Sequence, residues 1–276
     1  MALTDQTFLQ LITRLAHEMS DCVALTATAN GTTTTFTDNV NINASRESYD
    51  GWEWFGASSP NLDATATVTA TATNTITFTP ALTSTVSGNT ALLVNKRGRG
   101  FRIQEYKRAI NAAIQDFNGI ARIPTIEAVA LAYTDDDGFG TIAVPANCAE
   151  CYRVEYQNTE GRWREIKRAM TPGTDGWTAE PSTGTIRVEG EPSLMADGYS
   201  IRLLGYKRQA PLSALTDTCT FDATGIVLRA AFLLTRSALD RDPKYAQQTL
   251  LYRQESEDAM NRSRILRQPG TVLVRT

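Results

Sequence analysis

Few residues in this chain have the type and spacing to carry out chemistry, and those few argue against most reactions. His17 is the only histidine. A Ser-His-Asp triad or a histidine-built metal site would have one imidazole to work with, so His17 reads as a helix-surface or bundle residue. Cys148-Ala149-Glu150-Cys151 is a C-x-x-C pair. A structural zinc site needs a second such pair and a redox motif needs a βαβ setting. With neither in the sequence, the two thiols read as ordinary residues of a β region. Asp135-Asp136-Asp137-Gly138 is acidic enough for calcium but lacks the spaced ligands and distal glutamate of an EF-hand; it fits a hairpin turn. The glycines of residues 97–100 (RGRG) follow neither dinucleotide nor P-loop spacing. No acidic pair stands out for a glycan hydrolase. The expectation is a chain without catalytic residues, metal or cofactor.

Charge and aromatic rings remain. Lys96, Arg97, Arg99, Arg102, Lys107 and Arg108 form the densest positive patch. It reads either as a solvated helix start or as a contact for an acidic neighbour or for DNA phosphates. The tryptophans and tyrosines read as core; in the competing reading of a binding module, Trp52, Trp54 and Trp177 would meet a glycan. The formal net charge is −3, which disfavours a dedicated nucleic-acid binder. With 42% hydrophobic residues the chain can bury a core. Cys22, Cys148, Cys151 and Cys219 are too sparse for a disulfide scaffold and suit a reducing compartment. No apolar run approaches the roughly 18 residues of a membrane span, and residues 1–19 lack the basic start and cleavage site of a secretion signal.

The element that organises the chain is the stretch 101–120, FRIQEYKRAINAAIQDFNGI. Ile103, Tyr106, Ile110, Ile114 and Phe117 recur at spacings of three and four, with Ala109, Ala112 and Ala113 beside them and Gly119 as a stop, which predicts an amphipathic helix. A first helix is predicted over 4–19, capped by Thr4, with Leu3 and Phe8 as a hydrophobic staple. Two more are predicted over 223–239 and about 244–266, the second restarted by Asp242-Pro243. Between the first two lies a Thr-rich region with period-two alternation, giving strands over 32–37, 51–55, 64–71, 75–79 and 91–94. A second strand series covers 125–133, 140–145, 152–157, 162–166, 185–189 and 199–206, separated by Asp-Gly, Glu-Gly, Pro-Gly and Thr-Gly turns. The expected fold class is α+β. A helical bundle is built from N-terminal, central and C-terminal helices (1–23, 96–124 and 222–267). A small Thr-rich β-barrel is inserted at 24–95, a second β-sheet region spans 125–221, and residues 268–276 (QPGTVLVRT from Gln268) form an extended arm with no strand partner nearby in sequence.

Three stretches resemble the β insert of phage virion proteins: 31–38 (GTTTTFTD), 49–56 (YDGWEWFG) and 74–82 (NTITFTPAL). Residues 106–117 (YKRAINAAIQDF) and the long C-terminal helix followed by Pro269-Gly270 are similar to those of head-to-tail adaptor (connector) proteins of tailed bacteriophages, related to the tail tubular proteins of short-tailed phages. The resemblance implies a structural virion protein of the neck. It implies a homo-oligomeric ring of twelve copies beneath the portal protein, which prolongs the channel for double-stranded DNA and offers a platform to stopper or tail proteins. It further implies assembly in the host cytoplasm and no membrane partner. Under it, Pro269, Gly270, Thr271, Val272, Leu273, Val274 and Arg275 dock on the portal. Arg229, Arg236, Arg253 and Arg262 join the basic patch as candidates for subunit contacts or the DNA channel. The runner-up is a tail, baseplate or adhesin-type module recognising a surface glycan through its β domain.

Overall fold

The computed structural model describes residues 5–45, 47–95, 100–134, 139–146, 148–158, 160–169, 175–189, 200–239, 242–264 and 272–273. The chain divides into two compact units, Met1–Gly119 with Pro211–Ser263, and Ile120–Ala210 with Arg264–Thr276.

Four helices build the first unit, counted among the described residues: α1 (Phe8–Glu18), α2 (Ile103–Asn118), α3 (Ala223–Ala238) and α4 (Tyr245–Arg262). Helix α1 starts at a reciprocal cap. The Gln10 N–H donates to Thr7 Oγ1 at 3.3 Å and the Thr7 N–H donates to Gln10 Oε1 at 2.8 Å. The N-cap is thus Thr7, three residues beyond the Thr4 expected from sequence. Residues 6–7 are held instead as a short strand, β1 (Gln6–Thr7), paired with β16 (Thr218–Cys219). The α2 stripe is the predicted one, with Ile103, Tyr106, Ala109, Ile110, Ala113, Ile114 and Phe117 all buried. Asp222 caps α3 by accepting from the N–H groups of Thr224 and Gly225, at 3.2 and 3.1 Å. Gly225 then lets α2 approach closely, since a Cβ there would lie 2.8 Å from Phe117 Cζ. Helix α3 packs on α1, α2 and α4. Helix α4 buries only Thr249, Tyr252, Ser256 and Ala259, a narrow stripe, and leaves Leu250 and Leu251 exposed at 67% and 54%.

The Thr-rich insert forms β2 (Cys22–Thr26), β3 (Thr35–Thr37), β4 (Glu53–Gly56), β5 (Thr65–Ala72), β6 (Thr75–Thr79) and β7 (Thr90–Val94). Alternation places Ala66, Val68, Ile76 and Phe78 inside and the intervening threonines outward. The core gathers Phe36, Trp52, Trp54 and Phe78, with Trp54 stacked on Phe78 at 5.0 Å. The expected small barrel is not formed. The strands make one antiparallel sheet of order β2-β7-β4-β5-β6-β3, which does not close. Closure requires a ladder between the outer strands β2 and β3. Among the described residues no ladder joins them; one isolated bridge, Ala29 to Thr37, lies near their ends, and β3 has only three residues to offer.

Asp38 directly follows β3 and is fully buried. It accepts from the N–H groups of Thr26, Val40 and Asn41 and from the Asn41 side-chain amide, at 2.8–3.0 Å. Burial raises its pKa, but these bonds together outweigh burial and hold the carboxyl below its ordinary value. Its contribution to stability is therefore present above the unfolded carboxylate pKa and disappears as pH falls through the lower folded value. Asp38→Ala is expected to cost about 2–4 kcal/mol at neutral pH by urea denaturation. The variant should also lose less stability than the parent between pH 7 and pH 3.

The turn that leads from α1 into the insert, and strand β4 of the insert itself, are fastened to α2 through polar contacts. The Phe101 N–H and the Tyr106 hydroxyl both donate to Asp21 Oδ2, at 2.8 and 3.0 Å. The Ile103 N–H donates to Glu53 Oε2 of β4 at 3.0 Å.

The second unit carries two sheets where the sequence suggests one. β9 (Leu131–Thr134), β10 (Phe139–Ala143), β13 (Gly176–Glu180) and β14 (Thr185–Glu189) lie in the order β13-β14-β10-β9. β8 (Ile123–Val129), β11 (Cys148–Gln157), β12 (Trp163–Ile166) and β15 (Ile201–Lys207) lie in the order β12-β11-β15-β8. The single strand expected over 125–133 breaks at Ala130, and its halves enter different sheets. Both sheets contribute to one core, including Ile142, Val154, Trp177, Ile186 and Leu203. A last strand, β17 (Val272–Leu273), pairs with Glu150 and Cys151 of β11. β15 covers one side of β11 and β12 covers the C-terminal half of the other, so β17 occupies the N-terminal half of the side that β12 leaves.

Candidate functional site

The cysteines are built as core. Cys148, Cys151 and Cys219 are buried. Burial pushes the Cys151 thiol up to about 12 and the Cys219 thiol up to about 11. Thiols held protonated in this way are poor nucleophiles and poor metal ligands. Among the described residues no group of three or more His, Cys, Asp or Glu is placed to hold a metal ion, and no helix is long and apolar enough to cross a membrane. His17 is exposed on α1. Trp52, Trp54 and Trp177 are buried, at 2%, 1% and 1% exposure, so none presents a ring face to a sugar. Asp135-Asp136-Asp137-Gly138 lies outside the described residues.

The basic candidates separate into groups. Lys96, Arg97 and Arg99 lie outside the described residues. Of those on the start of α2, Arg102 and Arg108 are exposed. Lys107 is committed within its own unit, paired with Asp63 and set over the Phe55 ring. Arg229, Arg236 and Arg253 converge. With Phe232, Leu250 and Glu257 they line a groove of about 470 Å³ between α3 and α4. Arg229 Nε lies 2.7 Å from Asp116 Oδ2 and its guanidinium sits over the Phe232 ring; Arg253 Nε lies 3.0 Å from Glu257 Oε1. Arg236 stands exposed. Arg262, at the end of α4, is exposed and outside the groove lining. Sequence reasoning missed the two exposed leucines of α4, of which Leu250 lines this groove. The signal was present: at helical spacing Leu250 and Leu251 both fall off the stripe Thr249, Tyr252, Ser256 and Ala259.

In the C-terminal arm, Val272 and Leu273 form β17 on β11. Pro269, Gly270, Thr271, Val274 and Arg275 lie outside the described residues.

Residues 89–275, from the end of the insert through the arm, match the family described as SU10 adaptor protein. The chain belongs to this family. The adaptor is therefore a structural virion protein, a head-to-tail connector and not an enzyme. It works at the head–tail interface, in an oligomeric ring that contacts the portal protein. No curated protein matches the chain. The family match begins at residue 89, so β2 to β6 of the adaptor precede it.

Proposed function

We propose that twelve copies of the adaptor close into a ring beneath the portal, prolong the channel through which the genome is packaged and ejected, and give stopper or tail proteins their platform. The observation that carries this reading is the family match over residues 89–275. A ring is a closed heterologous assembly in which each subunit offers two different complementary faces. The net charge of −3 favours DNA that slides past without being held. Subunits are made and assembled in the host cytoplasm. Arg102, Arg108, Arg236 and Arg262, exposed on α2, α3 and α4, are channel or interface candidates; Lys96, Arg97 and Arg99 belong to the same patch in sequence as Arg102 and Arg108.

The arm, residues 269–275, docks on the portal in this reading. An extended apolar segment adds itself readily to a sheet edge, and repetition around a ring turns a weak contact into a stable joint. Truncation after Gln268 tests this. Attachment to DNA-filled heads, followed by sedimentation and negative-stain microscopy, should fall at least tenfold with the truncated chain. Undiminished attachment would remove the arm from the portal contact.

A further inference from the structure

Helix α4 carries two unlike flanks. At about 100° per residue, Leu250, Arg253 and Glu257 fall on one side of its buried stripe, and Leu251, Glu255 and Asp258 on the other. The first flank joins α3 in the arginine groove, where Arg229, Arg236 and Arg253 outnumber the carboxylates of Asp116 and Glu257 that touch them. The second flank is acidic and continues onto α1. The Tyr252 hydroxyl, on that side of the stripe, donates to the Glu18 carbonyl at 3.2 Å. Burial pushes the Tyr252 hydroxyl up to about 12, and the carboxylates of Glu18 and Glu255 add to it. Each flank has one exposed leucine, and Leu250 and Leu251 differ in height by a single residue rise, about 1.5 Å.

We propose that the arginine groove between α3 and α4 receives the Leu251, Glu255 and Asp258 flank of α4 from the next copy of this chain, as the repeating contact of the ring. This inference rests on the ring reading above and names the faces that it leaves open. The occupant follows from charge and from symmetry. The groove needs a partner that is acidic with one apolar side chain, and the opposite flank of the same helix has that composition. Rotation about a ring axis keeps heights along that axis. A helix set along the axis therefore brings Leu251 beside its neighbour's Leu250 and Phe232, and Glu255 beside Arg253. Faces of unlike sign also prevent two copies from pairing groove to groove, which would end growth at a dimer.

Two full-length variants test the contact. One carries Arg236→Glu and Arg253→Glu, making both faces acidic; the other carries Glu255→Lys and Asp258→Lys, making both faces basic. All four positions lie outside the buried stripe, and circular dichroism checks that each variant is folded. By analytical ultracentrifugation and negative-stain microscopy, alone and with portal rings, each variant by itself should associate about a hundredfold more weakly than the parent. An equimolar mixture should regain rings, because acidic and basic copies then alternate. Rings formed by either variant alone, or a mixture that fails to restore them, would overturn this interface and leave the adaptor reading standing. A parent chain that forms no ring, alone or on the portal, would instead overturn the ring reading and this contact with it.

Discussion

Phe117→Ala is expected to lower the stability of the first unit by about 3–5 kcal/mol, as read from the urea midpoint at unchanged slope. Phe117 is fully buried at the end of α2, with its ring 5.8 Å from that of Phe221. The space in front of it on α3 exists only because residue 225 is glycine. Removing the ring costs the transfer of its apolar surface and leaves a cavity that two packed helices cannot fill by sliding. A total stability of roughly 5–15 kcal/mol is ordinary for a domain, so the loss is a large share. The same geometry predicts the partner effect. Gly225→Ala brings a methyl to 2.8 Å from Phe117 Cζ and should destabilise by itself. Combined with Phe117→Leu it should cost less than the sum of the two, because the smaller side chain makes room for the methyl.

The second large effect is expected at the joint between insert and bundle. Asp21 is buried and accepts from both the Phe101 N–H and the Tyr106 hydroxyl. Asp21→Ala orphans two buried donors, each worth about 1–3 kcal/mol when left unsatisfied. Gly100 sits directly against the same carboxylate. A Cβ there would lie 2.0 Å from Oδ2 and 2.1 Å from Oδ1, so Gly100→Ala must expel the carboxylate or move the chain. Gly100→Ala and Asp21→Ala should each cost about 3–4 kcal/mol. Their combination should cost little more than either alone, since both destroy one contact. Additive losses in a double-mutant cycle would show that the two residues act separately. Tyr106→Phe removes one donor without opening a cavity and should cost about 1 kcal/mol.

Much of the helical part of the fold can be read from residue spacing, because a 3.6-residue stripe such as that of α2 has no competing interpretation. The start of α1 was legible too: Thr7 and Gln10 spell a capping box, and the nearer Thr4 has no such partner three residues on. What local pattern does not contain is closure. The alternation in β5 and β6 is the same whether the sheet curls into a barrel or stays open, and the outcome rests on how few residues β3 brings to its far edge. The break at Ala130 is hidden in the same way, since β8 and β9 are each apolar enough to read as one strand. The partner of Val272 and Leu273 lies more than a hundred residues away in β11, beyond the reach of any window. The meeting of Arg229, Arg236 and Arg253 depends on how α3 and α4 are rotated against each other, which neither helix encodes alone. Asp21 reads as a polar residue after a helix and reveals its role only when Phe101 and Tyr106 are brought to it.

The helices of the first unit are contributed from segments before and after the second unit, and this has a consequence for the nascent chain. Strands β2 to β7 are complete as α2 leaves the ribosome, but α3, the helix that covers the α2 stripe, begins only at Ala223. At translation speeds of about 5–20 residues per second, the α2 stripe waits on the order of 5–20 s for its cover. During that interval the insert can already fold, while the groove and its opposing flank do not yet exist. A chain that has not yet reached α3 and α4 therefore lacks both faces of the proposed contact, and that contact becomes available only after the second unit has been made.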